Sequence, residues 1–143
     1  MFEPDKAKSA KSHEMIRAAF IKQMGEVGKY TLAYGYYTRS GIFQQLMYSY
    51  VIGFSVADRE LVIIPIDSDG NAGDPITLNK SNITSAKYSF QGVVKIKSNL
   101  LKKELRFFVP GFTPAALENA YILPIVQKEI AVEFKKFIKE SFK

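Results

Sequence analysis

The stretch "LVIIPIDSDGNAGDPITL", residues 61–78, decides the fold. It sets a cluster of aspartates and glycines between two apolar runs, which is either a calcium loop between helices or a hairpin loop between strands. A helix–loop–helix calcium site takes oxygen ligands at its first, third and fifth loop positions, glycine at the sixth and a bidentate glutamate at the twelfth. Counted from Asp67, the three early ligand places hold Asp67, Asp69 and Asn71, but the glycine place holds Ala72 and the last place holds Leu78. Leucine supplies no carboxylate, and Asp, Asn and Gly are the ordinary residues of turns. The segment is therefore read as a long hairpin loop, with no metal, between two strands. "LVIIPI" is apolar on both faces, which predicts a strand lying centrally in the sheet or under a further layer. Pro65 near its end predicts an edge or bulge there.

Outward from this hairpin the hydrophobic period is two. In "KYTLAYGYYTR" (29–39) Leu32, Tyr34 and Tyr36 alternate with small or polar residues, and in "YSYVIGFSV" (48–56) Tyr48, Tyr50, Ile52, Phe54 and Val56 share a face. Downstream, "NITSAKYSF" (82–90), "VVKIKS" (93–98) and "ELRFFVP" (104–110) put Ala86, Tyr88, Val94, Ile96, Leu105, Phe107 and Val109 on one side and Lys87, Lys95, Lys97 and Arg106 on the other. The turn Phe90–Gln91–Gly92 fits a three-residue hairpin loop with glycine in the left-handed region. That register sets Tyr88 opposite Val94 and Lys87 opposite Lys95, and Lys97 is expected opposite Arg106. Short links between strands imply antiparallel pairing.

The two ends read as helix. "HEMIRAAFIKQMGEV" (13–27) carries Ile16, Ala19, Phe20, Met24 and Val27 on one stripe, with Ser12 as the expected cap and residues 1–12 as a mobile polar tail. Near the other end Thr113 can cap a short helix over "AALENAY", and Pro124 can begin a second. Ile130, Phe134, Phe137 and Ile138 make its apolar stripe. The expected architecture is α+β: one domain over 1–143, with a tail and helix over 1–28, seven antiparallel strands over 29–110, and a helical part over 113–142 that caps the barrel or sandwich.

The 143 residues are 47% hydrophobic, enough for a proper core without covalent staples, and they include no cysteine. That usage suits a reducing compartment. The first twenty residues lack the apolar run and cleavage site of a signal peptide, and no stretch is as long and apolar as a membrane span. A cytoplasmic protein, at most associated with a membrane surface, is the expectation.

No catalytic constellation is visible. His13 is the only histidine and there is no cysteine, so nucleophilic pairs and zinc sites lack their residues. No glycine-rich phosphate cradle occurs, and the paired acids sit in a turn. The reading is a non-enzyme without a cofactor and without a small-molecule substrate. Nucleic acid is not the expected partner, because the aromatic residues alternate as core positions.

Charge is the sharper feature. The net charge is +6, and the segment Lys80–Arg106, with seven cations and Glu104 as its one acid, carries all of it. Lys87, Lys95, Lys97, Lys102, Lys103 and Arg106 form a candidate anion- or lipid-binding face, since like charges set opposite each other weaken a sheet. The plainer alternative is a solvated face that discourages edge association. Leu100 and Leu101 in "SNLLKKE" are candidate membrane-tip residues, or they fold back to plug the end of the sheet.

The chain resembles the pleckstrin-homology superfold, in its bacterial PH-like or GRAM-like form, over residues 29–142. "GFSVADRELVIIPI" is similar to the unit of the second and third strands, "ITLNKSNITSAKYSFQGVVKIKS" to the later strands, and "ELRFFV" to the seventh strand before the closing helix. The resemblance implies a binding or scaffolding module acting on a protein partner or as a homo-oligomer, with anionic membrane as the alternative. It also implies that loops near Arg39–Gln45, Asp67–Asp74 and Asn99–Lys103 gather at one end. The basic signature of phosphoinositide-binding members is incomplete: Lys29 and Arg39 are present, and the following basic pair is not. The N-terminal helix and "GFTPAALENAYILP" depart from the family pattern.

Overall fold

A computed structural model describes residues 2–40, 45–67, 69–114 and 122–142, with the backbone alone described at 39–40 and 45–47. The order is α1 (Lys6–Met24), β1 (Thr31–Ser40), β2 (Gln45–Ser55), β3 (Glu60–Ile66), β4 (Ile76–Asn79), β5 (Ile83–Tyr88), β6 (Val93–Ser98), β7 (Leu105–Phe108) and α2 (Lys128–Ser141). The strands form one antiparallel sheet in the order β4-β3-β2-β1-β7-β6-β5. Among the described residues β4 and β5 do not pair, so the sheet is open and folds over as a sandwich.

The core between the two half-sheets explains the strand pattern. Ile52, Phe54, Leu61, Ile63 and Leu78 from one half meet Val94, Ile96, Phe107 and Val109 from the other. Phe134, Phe137 and Ile138 of α2 close the gap between them. Phe134 lies against both Phe54 and Phe107, with ring centroids 5.3 and 6.0 Å away. The apolar stripe of α2 is thus matched to an opening that the sheet alone leaves uncovered.

The opposite face of β1–β3 is apolar too, and α1 covers it. Ile16, Ala19 and Phe20 pack on Tyr34, Val51, Val62, Ile64 and Ile66. This second layer is why β3 is apolar on both faces. Gly53 lets α1 approach: a Cβ there would stand 2.6 Å from the Phe20 ring. Gly53→Ala is expected to cost about 1–3 kcal/mol through overpacking, read as a lower urea midpoint at unchanged slope.

Three helix expectations are corrected. Helix α1 starts at Lys6, capped by Asp5, whose Oδ1 accepts from the Ala7 amide at 2.6 Å. Ser12 is therefore a buried mid-helix residue, and Lys6–Ser12 is helix instead of tail. Its buried face there is Ser9 and Ser12, small polar residues that carry no apolar signal. Pro124 does not begin a helix: α2 starts at Lys128, and residues 122–127 run without helix beside α1. The short helix expected over "AALENAY" falls on residues 115–121, outside the described residues.

The long hairpin loop is built on Asp67. Its Oδ1 accepts from the amides of Asp69 and Asn71, each at 2.9 Å, and its Oδ2 accepts from Asn71 Nδ2 at 3.0 Å. Those bonds, from the Asn71 backbone first, hold the carboxyl below its usual range. Both carboxylate oxygens thus close the turn between β3 and β4. Pro65 fits because its carbonyl accepts from the Gly73 amide, so the N–H it lacks would face the loop, where β4 pairing has ended.

Candidate functional site

The two outer faces of the sandwich differ. The outer face of β1–β3 is apolar and covered by α1. The outer face of β5–β7 is cationic, and Lys87, Lys97 and Arg106 on it are exposed. The register explains this grouping. Tyr88 stands opposite Val94 and Lys87 opposite Lys95, as the hairpin reading expects, with Gly92 at φ 86° in the turn. One expectation is corrected: Arg106 faces Lys95, not Lys97. Lys95 therefore has a cation directly across on each side, Lys87 on β5 and Arg106 on β7. Lys97 faces Ser85 across a register shift in β5.

Glu104 is the acid inside this face. It accepts from Arg106 Nε at 2.7 Å. Its carboxyl is held below the ordinary range chiefly by that bond, with further lowering from Lys97 and Lys95. The field of the lysines thus reaches across the strands, and the one local acid is already engaged by arginine.

The loop after β6 continues the basic surface. Ser98 orders it: its hydroxyl accepts from the Leu100 amide at 3.1 Å and its carbonyl from the Leu101 amide at 3.1 Å. The two leucines then part. Leu101 folds back onto the core, while Leu100 is 60% exposed. Lys102 and Lys103 beside them are exposed. A cleft of about 470 Å³ opens next to this loop between Tyr37, Tyr48, Tyr50 and the run Lys103–Arg106.

Lys29 and Arg39, the two basic positions that match the phosphoinositide signature, do not lie together. Lys29 precedes the first residue of β1 and Arg39 lies near its end, roughly 30 Å along at about 3.3 Å per residue. The Lys29 ammonium is bound at 2.7 Å to Asp58 and at 2.7 Å to Glu60, on the β2–β3 turn. That lysine fastens a turn and is not free to meet a phosphate.

A polar constellation that the sequence does not reveal anchors the segment before α2. Gln127 is 3% exposed. Its Oε1 accepts from the Tyr34 amide, and its Nε2 donates to the carbonyls of Tyr34 and Pro110, all at 2.9 Å. The Tyr34 hydroxyl in turn accepts from the Leu123 amide at 3.1 Å and shares a 2.6 Å bond with Ser49. Thr113, expected as a cap, instead donates its hydroxyl to the Leu123 carbonyl at 2.8 Å and accepts from the Ile125 amide at 2.9 Å. Ser9 of α1 accepts from the Val126 amide at 2.9 Å. These residues serve the fold: each side chain stands in for a backbone partner that β1 and the 122–127 segment lack.

Among the described residues no three His, Cys, Asp or Glu side chains converge as a metal site would require, and no helix is long and apolar enough to cross a membrane. No protein-family model matches this chain, and no curated protein matches it in sequence.

Proposed function

We propose that the chain is a non-catalytic binding module of PH-like fold whose working surface is the outer face of β5–β7, and that this surface docks on anionic membrane from the cytoplasmic side. The observation that carries the reading is the row Lys87–Lys95–Arg106, three cations directly opposed across three strands. Like-charge pairs of this kind cost a few tenths to about 1 kcal/mol each. An anionic surface turns that cost into attraction, at about 1 kcal/mol for each cation brought close. Exposed Leu100 beside Lys102 and Lys103 adds an apolar contact at the edge of the face.

Co-sedimentation with vesicles tests this reading. Binding to phosphatidylglycerol-containing vesicles is expected at low salt, with none to phosphatidylcholine alone. It weakens steeply towards physiological salt and is lost on Lys102→Glu with Lys103→Glu. Absence of binding at low salt would send the search to protein partners.

β5 ends the sheet order with no strand paired on its outer side among the described residues, which favours a second reading, self-association by strand pairing. Lys87 on that edge opposes it, because two copies would bring their lysines together. Light scattering across concentration separates the two readings: a monomer at high concentration removes the second.

A further inference from the structure

The basic face ends in an exposed apolar side chain at both extremities of β6. Leu100 follows one end. Phe90, at the other, is 98% exposed, so nearly all of its ring is in solvent. It is held there by a tight turn. The Ser89 amide donates to the Val93 carbonyl at 2.9 Å, the Gly92 amide to the Ser89 carbonyl at 3.0 Å, and the Val93 amide to the Ser89 hydroxyl at 3.1 Å. A fixed hairpin that holds a phenyl ring in water offers apolar area that a contact would bury, and little ordering of the loop is needed to bury it. On the same outer face Val93 stands opposite Phe108, both half-buried, so the apolar end extends beyond one residue.

We infer that the outer face of β5–β7 lies flat on an anionic bilayer, with Phe90 and Leu100 as anchors at its two ends and Lys87, Lys95, Lys97 and Arg106 between them. This rests on the membrane reading above and adds the orientation. Distance and screening favour the flat pose. The six residues of β6 separate the anchors by roughly 20 Å at about 3.3 Å per residue. If the molecule stood on its Leu100 end alone, the Lys87–Lys95–Arg106 row would be held about 10 Å or more above the headgroups. Screening at physiological salt removes most attraction beyond about 8 Å. Only the flat pose puts all four cations within reach while sheltering both exposed side chains.

The chain contains no tryptophan, so Phe90→Trp and Leu100→Trp each give a lone fluorescent reporter. Val132→Trp, at an exposed position on α2, is the control. Each variant is mixed at low salt with phosphatidylglycerol–phosphatidylcholine vesicles carrying brominated chains. Blue shift and quenching are expected for Phe90→Trp and Leu100→Trp and not for Val132→Trp. Quenching of Leu100→Trp alone would overturn the flat pose and leave the membrane reading standing. Equal quenching of all three would mean adsorption without orientation and would also overturn it. Wild-type protein that fails to sediment with the same vesicles would overturn the membrane reading itself. Phe90→Ser is expected to weaken binding about tenfold with an unchanged unfolding midpoint, because its ring is in solvent.

Discussion

Gln127→Leu is expected to cost about 3–5 kcal/mol of folding stability. One amide side chain satisfies three backbone groups: the Tyr34 N–H, the Tyr34 carbonyl and the Pro110 carbonyl. Leucine has similar volume but no polar atoms, so the cavity effect is small and the loss is of hydrogen bonds. Each buried backbone group left unpaired costs about 1–3 kcal/mol, and some relaxation keeps the total below their sum. Against a typical domain stability of about 5–15 kcal/mol, the urea midpoint falls by about 2 M at a slope of about 2 kcal/mol/M. Gln127→Glu is no rescue, because a carboxylate keeps the acceptor but loses both donors and buries a charge. A loss below about 1 kcal/mol would mean that β1 finds other partners at Tyr34.

Lys95→Glu is expected to move stability and binding in opposite directions. Glutamate at this position faces Lys87 and Arg106, so two like-charge pairs become two opposite-charge pairs. The gain is several tenths to about 1 kcal/mol, modest because both neighbours are exposed and screened. Binding to anionic vesicles loses a cation and gains an anion, about 2 kcal/mol together, or roughly thirtyfold. Adding Lys97→Glu doubles that free energy, to about a thousandfold. A merely solvated face predicts the same stabilisation with no binding to lose, so the stability change alone does not separate the two readings.

The strands were legible because their period survives packing. "VVKIKS" alternates apolar and basic residues, and its neighbours repeat the alternation, so the Lys87–Lys95 pairing follows from a three-residue turn with Gly92 at its end. The two-faced "LVIIPI" is read as either central or covered by a further layer, and packing supplies the layer, α1. The partner of Lys97 was not legible, because no tight turn fixes the β6–β7 register: the Asn99–Glu104 connection leaves its slack to packing, and the observed pairing is shifted by two residues. The first turns of α1 are not legible because periodicity registers apolar residues, and the buried residues there are the small polar Ser9 and Ser12, with the Ser9 hydroxyl accepting from the Val126 amide.

At the candidate site, charge was visible in the sequence and neighbourhood was not. Lys87, Lys95, Lys97 and Arg106 share one surface, as their alternation predicts, and Lys102 and Lys103 are exposed on the adjoining loop. The engagement of Glu104 by Arg106 depends on side-chain geometry that spacing does not define. Leu100 and Leu101 carry identical side chains on adjacent residues, and only the turn set by Ser98 sends one inward and the other outward. The sequence marks Phe90 only as a turn residue, since nothing in "SFQGV" says that its ring finds no neighbour. Gln127 lies between an expected helix start and an apolar stripe, where a glutamine is ordinarily a surface residue.

The most direct test of the cationic face is the affinity of the wild type and of Lys95→Glu for phosphatidylglycerol vesicles at low salt, measured side by side on folded protein. The wild type is expected to bind, and Lys95→Glu, though at least as stable, to bind roughly thirtyfold more weakly. Equal affinity of the two, or failure of the wild type to bind, would rule out the cationic face as a membrane-docking surface.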